Sequence, residues 1–318
     1  MGRQRKSLLI ILILIAVFLL PACAKQVNKG EDDNNSKDKI IVYATIYPMY
    51  DFTKNIGQDR IDLRMIIPPG SDPHDWEPTP KLMVDLEKAD VLVYNGVGME
   101  PWLEKVVNSL DNKDLILVHA SEGIVLNRFD EQEEVHKPHE KHLGEYDPHV
   151  WLDPLRAMKQ VENIKKGLQQ ADRANSEFYE NNYQEYISKL TDLDREIALE
   201  TSRFKKRQLV VTHAAFGYFA QRYGLEQIPI KGISSQEEPN AAKLVEIVKL
   251  LKEKNLNYIY LEKLADPRLS KVLAQEVKAK TAVLDPIGGV TEAEMKQGKD
   301  YLTLMRENLQ VLKETIGE

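Results

Sequence analysis

From Ala171 to Arg207 the chain contains neither glycine nor proline. With 16 Gly and 15 Pro in 318 residues, one or the other is due about every ten positions, so a gap this long marks a segment without a turn. Within it Tyr183, Ile187, Leu190, Leu193 and Ile197 recur at helical spacing, and the remaining positions are rich in Glu, Asp, Lys and Arg. One helix over 171–207 would be about 50 Å long at the standard rise; the alternative is two helices broken near Ala174 and Asn175. Such a connector is stiff. Whatever lies on either side is pinned to it, and only small movements are expected on ligand binding.

On both sides, short β-branched runs alternate with helical patterns, which predicts an α/β fold with parallel strands. Before the connector, strands are expected at Ile40–Thr45, Asp62–Ile67, Val91–Tyr94 and Leu115–Val118, with helices at Pro48–Ile56, Pro80–Lys88 and Pro101–Leu110. After it the rhythm repeats. Strands are expected at Gln208–Thr212, Gln227–Ile230, Tyr258–Leu261 and Thr281–Leu284, and helices at Ala214–Tyr223, Asn240–Lys254, Arg268–Lys278 and Tyr301–Ile316. The expected architecture is therefore two lobes, residues 39–170 and 208–318, each with a mostly parallel four-stranded sheet flanked by helices. No close sequence repeat relates the halves.

The N-terminus bears on location. Arg3, Arg5 and Lys6 precede an apolar run from Leu8 to Leu20, too short to span a bilayer comfortably but typical of a signal peptide over residues 1–22. The run ends in Leu20-Pro21-Ala22-Cys23, which resembles a bacterial lipobox, and Cys23 is the only cysteine in the chain. Lipidation there would tether the mature protein outside the cell membrane. Residues 23–38, rich in Lys, Asn, Asp, Glu and Gly, read as a flexible tether. Removal of the signal takes away those three cations and moves the net charge from −7 to −10, which argues against nucleic acid and suits a cation binder.

Four residues about seventy positions apart carry the chemistry. His74 and His149 stand in Asp72-Pro73-His74 and Asp147-Pro148-His149, His213 follows Gln-Leu-Val-Val-Thr, and Asp285 follows Thr-Ala-Val-Leu. Three imidazoles and a carboxylate can hold a divalent transition metal. Open α/β sheets bind ligands beyond the carboxyl ends of their strands, so all four are expected to reach one cleft between the lobes, two from each side. The neighbouring prolines restrict the backbone, and the neighbouring aspartates are candidates to take the second ring N–H of a ligating histidine. Taken singly, a histidine after a strand or an aspartate before a proline has ordinary structural explanations. Together they point to a site.

From Lys39 to Gly317 the chain resembles the metal-binding lipoproteins of bacterial ABC importers for zinc and manganese, the cluster A-I substrate-binding proteins that include adhesin-like members. The resemblance rests on Gly70-Ser71-Asp72-Pro73-His74-Asp75-Trp76-Glu77-Pro78, on Asp147-Pro148-His149-Val150-Trp151-Leu152-Asp153-Pro154, on Thr212-His213-Ala214-Ala215-Phe216-Gly217-Tyr218 and on Leu284-Asp285-Pro286-Ile287-Gly288-Gly289. It implies two α/β lobes bridged by one long helix, with His74, His149, His213 and Asp285 at the four ligand positions. The manganese-favouring branch commonly has Glu where this chain has His213. Imidazole suits zinc and carboxylate suits manganese, so zinc (Zn2+) is the first expectation and manganese (Mn2+) the second. It also implies a monomer that hands its ion to a membrane permease energised by a separate ATPase; the chain itself has no phosphate-binding loop. Residues 129–146 form an acidic segment carrying His136, His139 and His142, where zinc-type members often have a His-rich loop.

Two rival readings exist. A surface adhesin on the same fold would add a property without changing the site. A zinc hydrolase would need three histidines with an open fourth position, and the chain shows no H-E-x-x-H and no nucleophile motif, so no enzyme is expected. Metal affinity is expected to fall as pH drops through the imidazole range, because ligating histidines must be neutral.

Overall fold

Two parallel four-stranded sheets frame the computed structural model, which describes residues 39–128, 146–236 and 239–317. The first contains β1 (Ile40–Ala44), β2 (Ile61–Met65), β3 (Val91–Tyr94) and β4 (Ile116–His119). The second contains β5 (Gln208–Val211), β6 (Glu226–Pro229), β7 (Tyr258–Leu261) and β8 (Lys280–Val283). Strand order is β2-β1-β3-β4 in one and β6-β5-β7-β8 in the other, with every neighbouring pair parallel. The two lobes thus share one topology without sharing sequence. In each, the chain leaves the first strand toward one edge and later returns to its other side. The gap between β1 and β3, or between β5 and β7, is the point where connection direction reverses and a crevice opens.

Burial follows the period-two geometry of strands. In the first sheet Val42, Ala44, Val91, Leu92 and Val93 are completely buried, as expected of parallel strands covered on both faces. In the second, Leu209 and Val211 point into the main core, which is continuous with the first lobe, while Val210 turns the other way with Ile228 and Ile259 into a smaller core beneath helices Ala241–Glu253 and Arg268–Val277.

The long helix spans Ser176–Thr201, shorter than the segment free of Gly and Pro, and is about 39 Å long. It buries Tyr179, Tyr186, Leu190, Leu193 and Ile197 against helices of both lobes, Tyr47–Gly57 and Tyr301–Ile316. Its start is set by Asp172, which leaves helical geometry and accepts hydrogen bonds from Asn175 (2.6 Å) and Tyr179 (2.8 Å) around a single 3-10 turn at Arg173–Asn175. The break near Ala174 and Asn175 is therefore real. Before it, helix Pro154–Ala171 folds back against the long helix. The periodicity reading leaves this helix out because Gln160 and Gly167 lie on its buried face and dilute the apolar stripe. Gly167 is required there: a Cβ would lie 2.2 Å from Val118 on β4.

Both lobes are tied directly as well. Gly70 N donates to Val290 O (2.7 Å), Trp151 Nε1 to Pro286 O (2.8 Å), and Asp51 accepts from Tyr186 Oη and Tyr301 N. Residues 39–318 form one compact unit. Among the described residues, no helix is long and apolar enough to cross a membrane.

Candidate metal centre

Proline has no N–H, so in an Asp-Pro-X segment the carboxylate is free to accept from the next amide, that of X. The chain contains five such segments, at Asp72, Asp147, Asp153, Asp266 and Asp285, and all five make this turn, with N···O distances between 2.8 and 3.0 Å. Three of them surround one cavity. His74 and His149 each project from the third residue of their turn, whereas at Asp285 the aspartate itself faces the cavity.

His213 comes from the carboxyl end of β5, two residues beyond the last paired position. Its Nε2 lies 3.2 Å from Nε2 of His149, which in turn lies 3.3 Å from Nε2 of His74. Among the described residues these three form the group whose ligand atoms all lie within 4.8 Å of one another. His149 and His213 are almost completely buried, and His74 is half-buried at the mouth.

The outer ring nitrogens explain which atoms face inward. Nδ1 of His149 is 2.8 Å from Asp147 Oδ1, and Nδ1 of His213 is 2.7 Å from Glu262 Oε1. A carboxylate can only accept, so it fixes the proton on Nδ1 and leaves the Nε2 lone pair pointing into the cavity. Two lone pairs 3.2 Å apart repel each other, and a proton shared between them or a metal ion placed among them relieves the repulsion. That spacing is close to the edge of a tetrahedron of nitrogens about 2.0–2.1 Å from a central ion, which is about 3.3–3.4 Å.

The two pairs are electrostatically unequal. Burial pushes His149 well below the ordinary imidazole range, and the neighbouring His213 and His74 act in the same direction. Burial also pushes its partner Asp147 up to about 7, against the pull of the His149 amide and the His213 charge. At His213 burial is again the largest influence and opposes the charged form, but the charge and hydrogen bond of Glu262 override it and the pKa is raised. His74 is lowered to about 4, first by burial and then by His213.

Asp285 lines the same cavity, but neither of its oxygens is free. Oδ1 accepts from Ile287 N (2.8 Å), and Oδ2 is 2.8 Å from Lys263 Nζ. The turn that places it is strained: Ile287, buried and β-branched, sits at φ 58°, a conformation costing of order ~1–3 kcal/mol. Beyond it, Gly288 and Gly289 let this loop lie against the His74 loop, since a Cβ on Gly289 would come within 2.9 Å of Ser71 O. The cavity volume is about 30 Å³, room for an ion and its water but not for the organic ligands that fill pockets of about 300–1,000 Å³.

Residues 42–315 match the ZnuA family, described as zinc-uptake complex component A, periplasmic. The chain belongs to this family. It is 40% identical over 307 residues to the high-affinity zinc uptake system protein ZnuA of Bacillus subtilis, covering 96% of both chains. It is 37% identical over 317 residues to the zinc-binding lipoprotein AdcA of Streptococcus pneumoniae, of whose length it spans 62%. The Zn(II)-bound ZnuA-like domain of that AdcA has a TM-score of 0.74 to this structure at 36% identity, covering 88% of this chain and all of that one. The laminin-binding protein Lmb of Streptococcus agalactiae, described as bifunctional with adhesin and metal-transporting activity, has a TM-score of 0.77 at 29% identity, covering 87% of this chain and 99% of that one. As a ZnuA-family member the chain is a zinc-uptake binding protein, not an enzyme, and it works outside the cytoplasm with a permease and an ATPase.

Glu262 and Lys263 belong to the candidate site through His213 and Asp285, and the sequence reading misses both. The signal was present for Glu262, which follows β7 directly at the strand end, the same rule that finds His213 and Asp285. Nothing in the sequence marks the reach of Lys263 to Asp285. Cys23, His136, His139 and His142 lie outside the described residues; Arg128, just before the acidic segment, pairs with Tyr146.

Proposed function

We propose that the chain captures one zinc ion between its lobes on Nε2 of His74, His149 and His213, with Asp285 as the fourth ligand, and releases it to the permease as a lipid-anchored monomer. The supporting observation is the pair of Nε2 lone pairs that Asp147 and Glu262 direct at each other across 3.2 Å, an arrangement that a cation resolves. Three neutral imidazoles favour zinc over manganese. The anchor in this reading is Cys23, and the segment bearing His136, His139 and His142 gathers metal at the cleft mouth.

The test is competition against a chromophoric chelator with metal-stripped mature protein. Zinc should bind one to one and far more tightly than manganese. His213→Ala should weaken zinc by ~10²–10³-fold, the share of one ligand in a four-ligand zinc site of about 10–16 kcal/mol. Unchanged zinc affinity in His213→Ala would overturn the site.

A further inference from the structure

Lys263 stands one position after Glu262, so the loop leaving β7 supplies both the acceptor that orients His213 and an ammonium at the edge of the same cavity. Its Nζ bridges two carboxylates, those of Asp285 and Glu294. Glu294 is independently held: Oε2 accepts from Thr291 N (3.1 Å) and Thr291 Oγ1 (2.8 Å) in the capping box that opens helix Glu292–Lys296. Asp285, in contrast, has its Oδ2 engaged by Lys263 and its Oδ1 by the turn amide. For Oδ2 to reach an ion among the imidazoles it must turn from Lys263, which competes with the ion for that oxygen. The lysine then keeps Glu294 and is never left as an unpaired charge, so the exchange is available without burying a lone cation.

We propose that Lys263 is a specificity-determining residue whose ammonium competes with the bound cation for Asp285 and so disfavours ions that need a carboxylate ligand. The inference rests on the ligand set proposed above. Zinc draws most of its binding from the three imidazoles and less from Asp285, whereas manganese depends on carboxylate oxygen. Removing the positive charge attracts every divalent ion more strongly, so the diagnostic quantity is the ratio of manganese to zinc affinity, in which that common effect cancels.

The experiment measures Mn2+ and Zn2+ binding by chelator competition on mature wild-type protein, Lys263→Met, Lys263→Gln and Lys263→Met/Asp285→Asn. In Lys263→Met the manganese-to-zinc affinity ratio should rise about tenfold, the effect of freeing one charge-assisted contact. Lys263→Gln, which keeps a donor toward Asp285 without the charge, should move the ratio the same way and stands in if the methionine variant does not fold. Adding Asp285→Asn should return the ratio to that of wild type. A ratio unchanged in both single variants, or a gain that survives Asp285→Asn, overturns the role of Lys263. Wild-type protein that fails to bind zinc would instead overturn the metal site itself, so the two failures are distinguishable.

Discussion

The two lobes have the same strand order, yet they use their crevices in opposite ways. In the second lobe the strands flanking the reversal point deliver chemistry at once: His213 follows β5 and Glu262 follows β7, and the two pair across the gap. In the first lobe the corresponding strand ends are closed by a buried carboxylate, which holds Thr45 just after β1 and Asn95 just after β3. Glu100 accepts from Thr45 Oγ1 (2.5 Å), Asn95 N (2.8 Å) and Gly96 N (2.9 Å), and Gln160 closes the network on Asn95 at 2.8 Å. Asn95 then donates to Pro148 O (3.0 Å), holding the Asp147-Pro148-His149 turn from below. One crevice is the proposed ligand platform and the other is a foundation, and the first lobe presents its histidines from loops instead. Identical topology fixes where a site can form; side chains at the strand ends decide whether it does.

Three tests break or sharpen that contrast. The largest effect belongs to the acids behind the imidazoles: Glu262→Gln and Asp147→Asn should each weaken zinc by ~10–100-fold, measured by chelator competition, because the Nδ1 proton is no longer fixed by a charge. Gly217 makes Asp147 especially specific, since a Cβ there would lie 2.6 Å from its Oδ2. Equal zinc affinity in wild type and Glu262→Gln would mean that the second crevice is no platform.

Next in size, Glu100→Gln should cost about 1–3 kcal/mol of stability by leaving a buried amide donor without its acceptor, while zinc affinity stays within a few-fold of wild type. Calorimetric unfolding of metal-stripped protein reads the first quantity and competition reads the second. A loss of zinc binding as large as that of Glu262→Gln would show that both crevices are platforms.

The smallest effect tests whether the lobes, so different at their strand ends, melt together. Asp51, on the first lobe's helix, accepts from Tyr186 of the connector and from Tyr301 of the second lobe. Burial, then the neighbouring Asp300, raises its pKa from 3.8 to about 7. A folded state that holds this proton more tightly than the unfolded chain gains stability at low pH and loses it as pH rises from 3.8 through about 7. Thermal unfolding from pH 5 to 8 should therefore show a single transition whose midpoint falls, and Asp51→Asn should flatten that slope. Two resolved transitions would mean independent lobes.

Much of this was readable in advance, and particular residues show why. Strand positions were legible to within one or two residues because β-branched runs bounded by turns have few other uses, and helix Tyr301–Ile316 because Leu302, Leu304, Met305, Leu309, Leu312 and Ile316 recur at helical spacing. His74 and His149 were legible because Asp-Pro-X is a local device, its turn closed by an atom two residues away, and His213 because it closes a strand run. The start of the long helix was less so, since Asp172 breaks it by bonding Tyr179, a choice between two local structures that only packing settles.

What the sequence determined by itself is whatever depends on neighbours along the chain: periodicity, turns, the signal-like N-terminus, and imidazoles placed at the ends of strands. Tertiary structure alone decided which crevice became a platform, that Glu262 rather than an Asp-Pro aspartate orients His213, and that Lys263 rather than a ligand set holds Asp285. Those outcomes rest on groups brought from distant parts of the chain to within about 3 Å, and at that range hydrogen-bond and charge energies change steeply with position, which no one-dimensional pattern encodes.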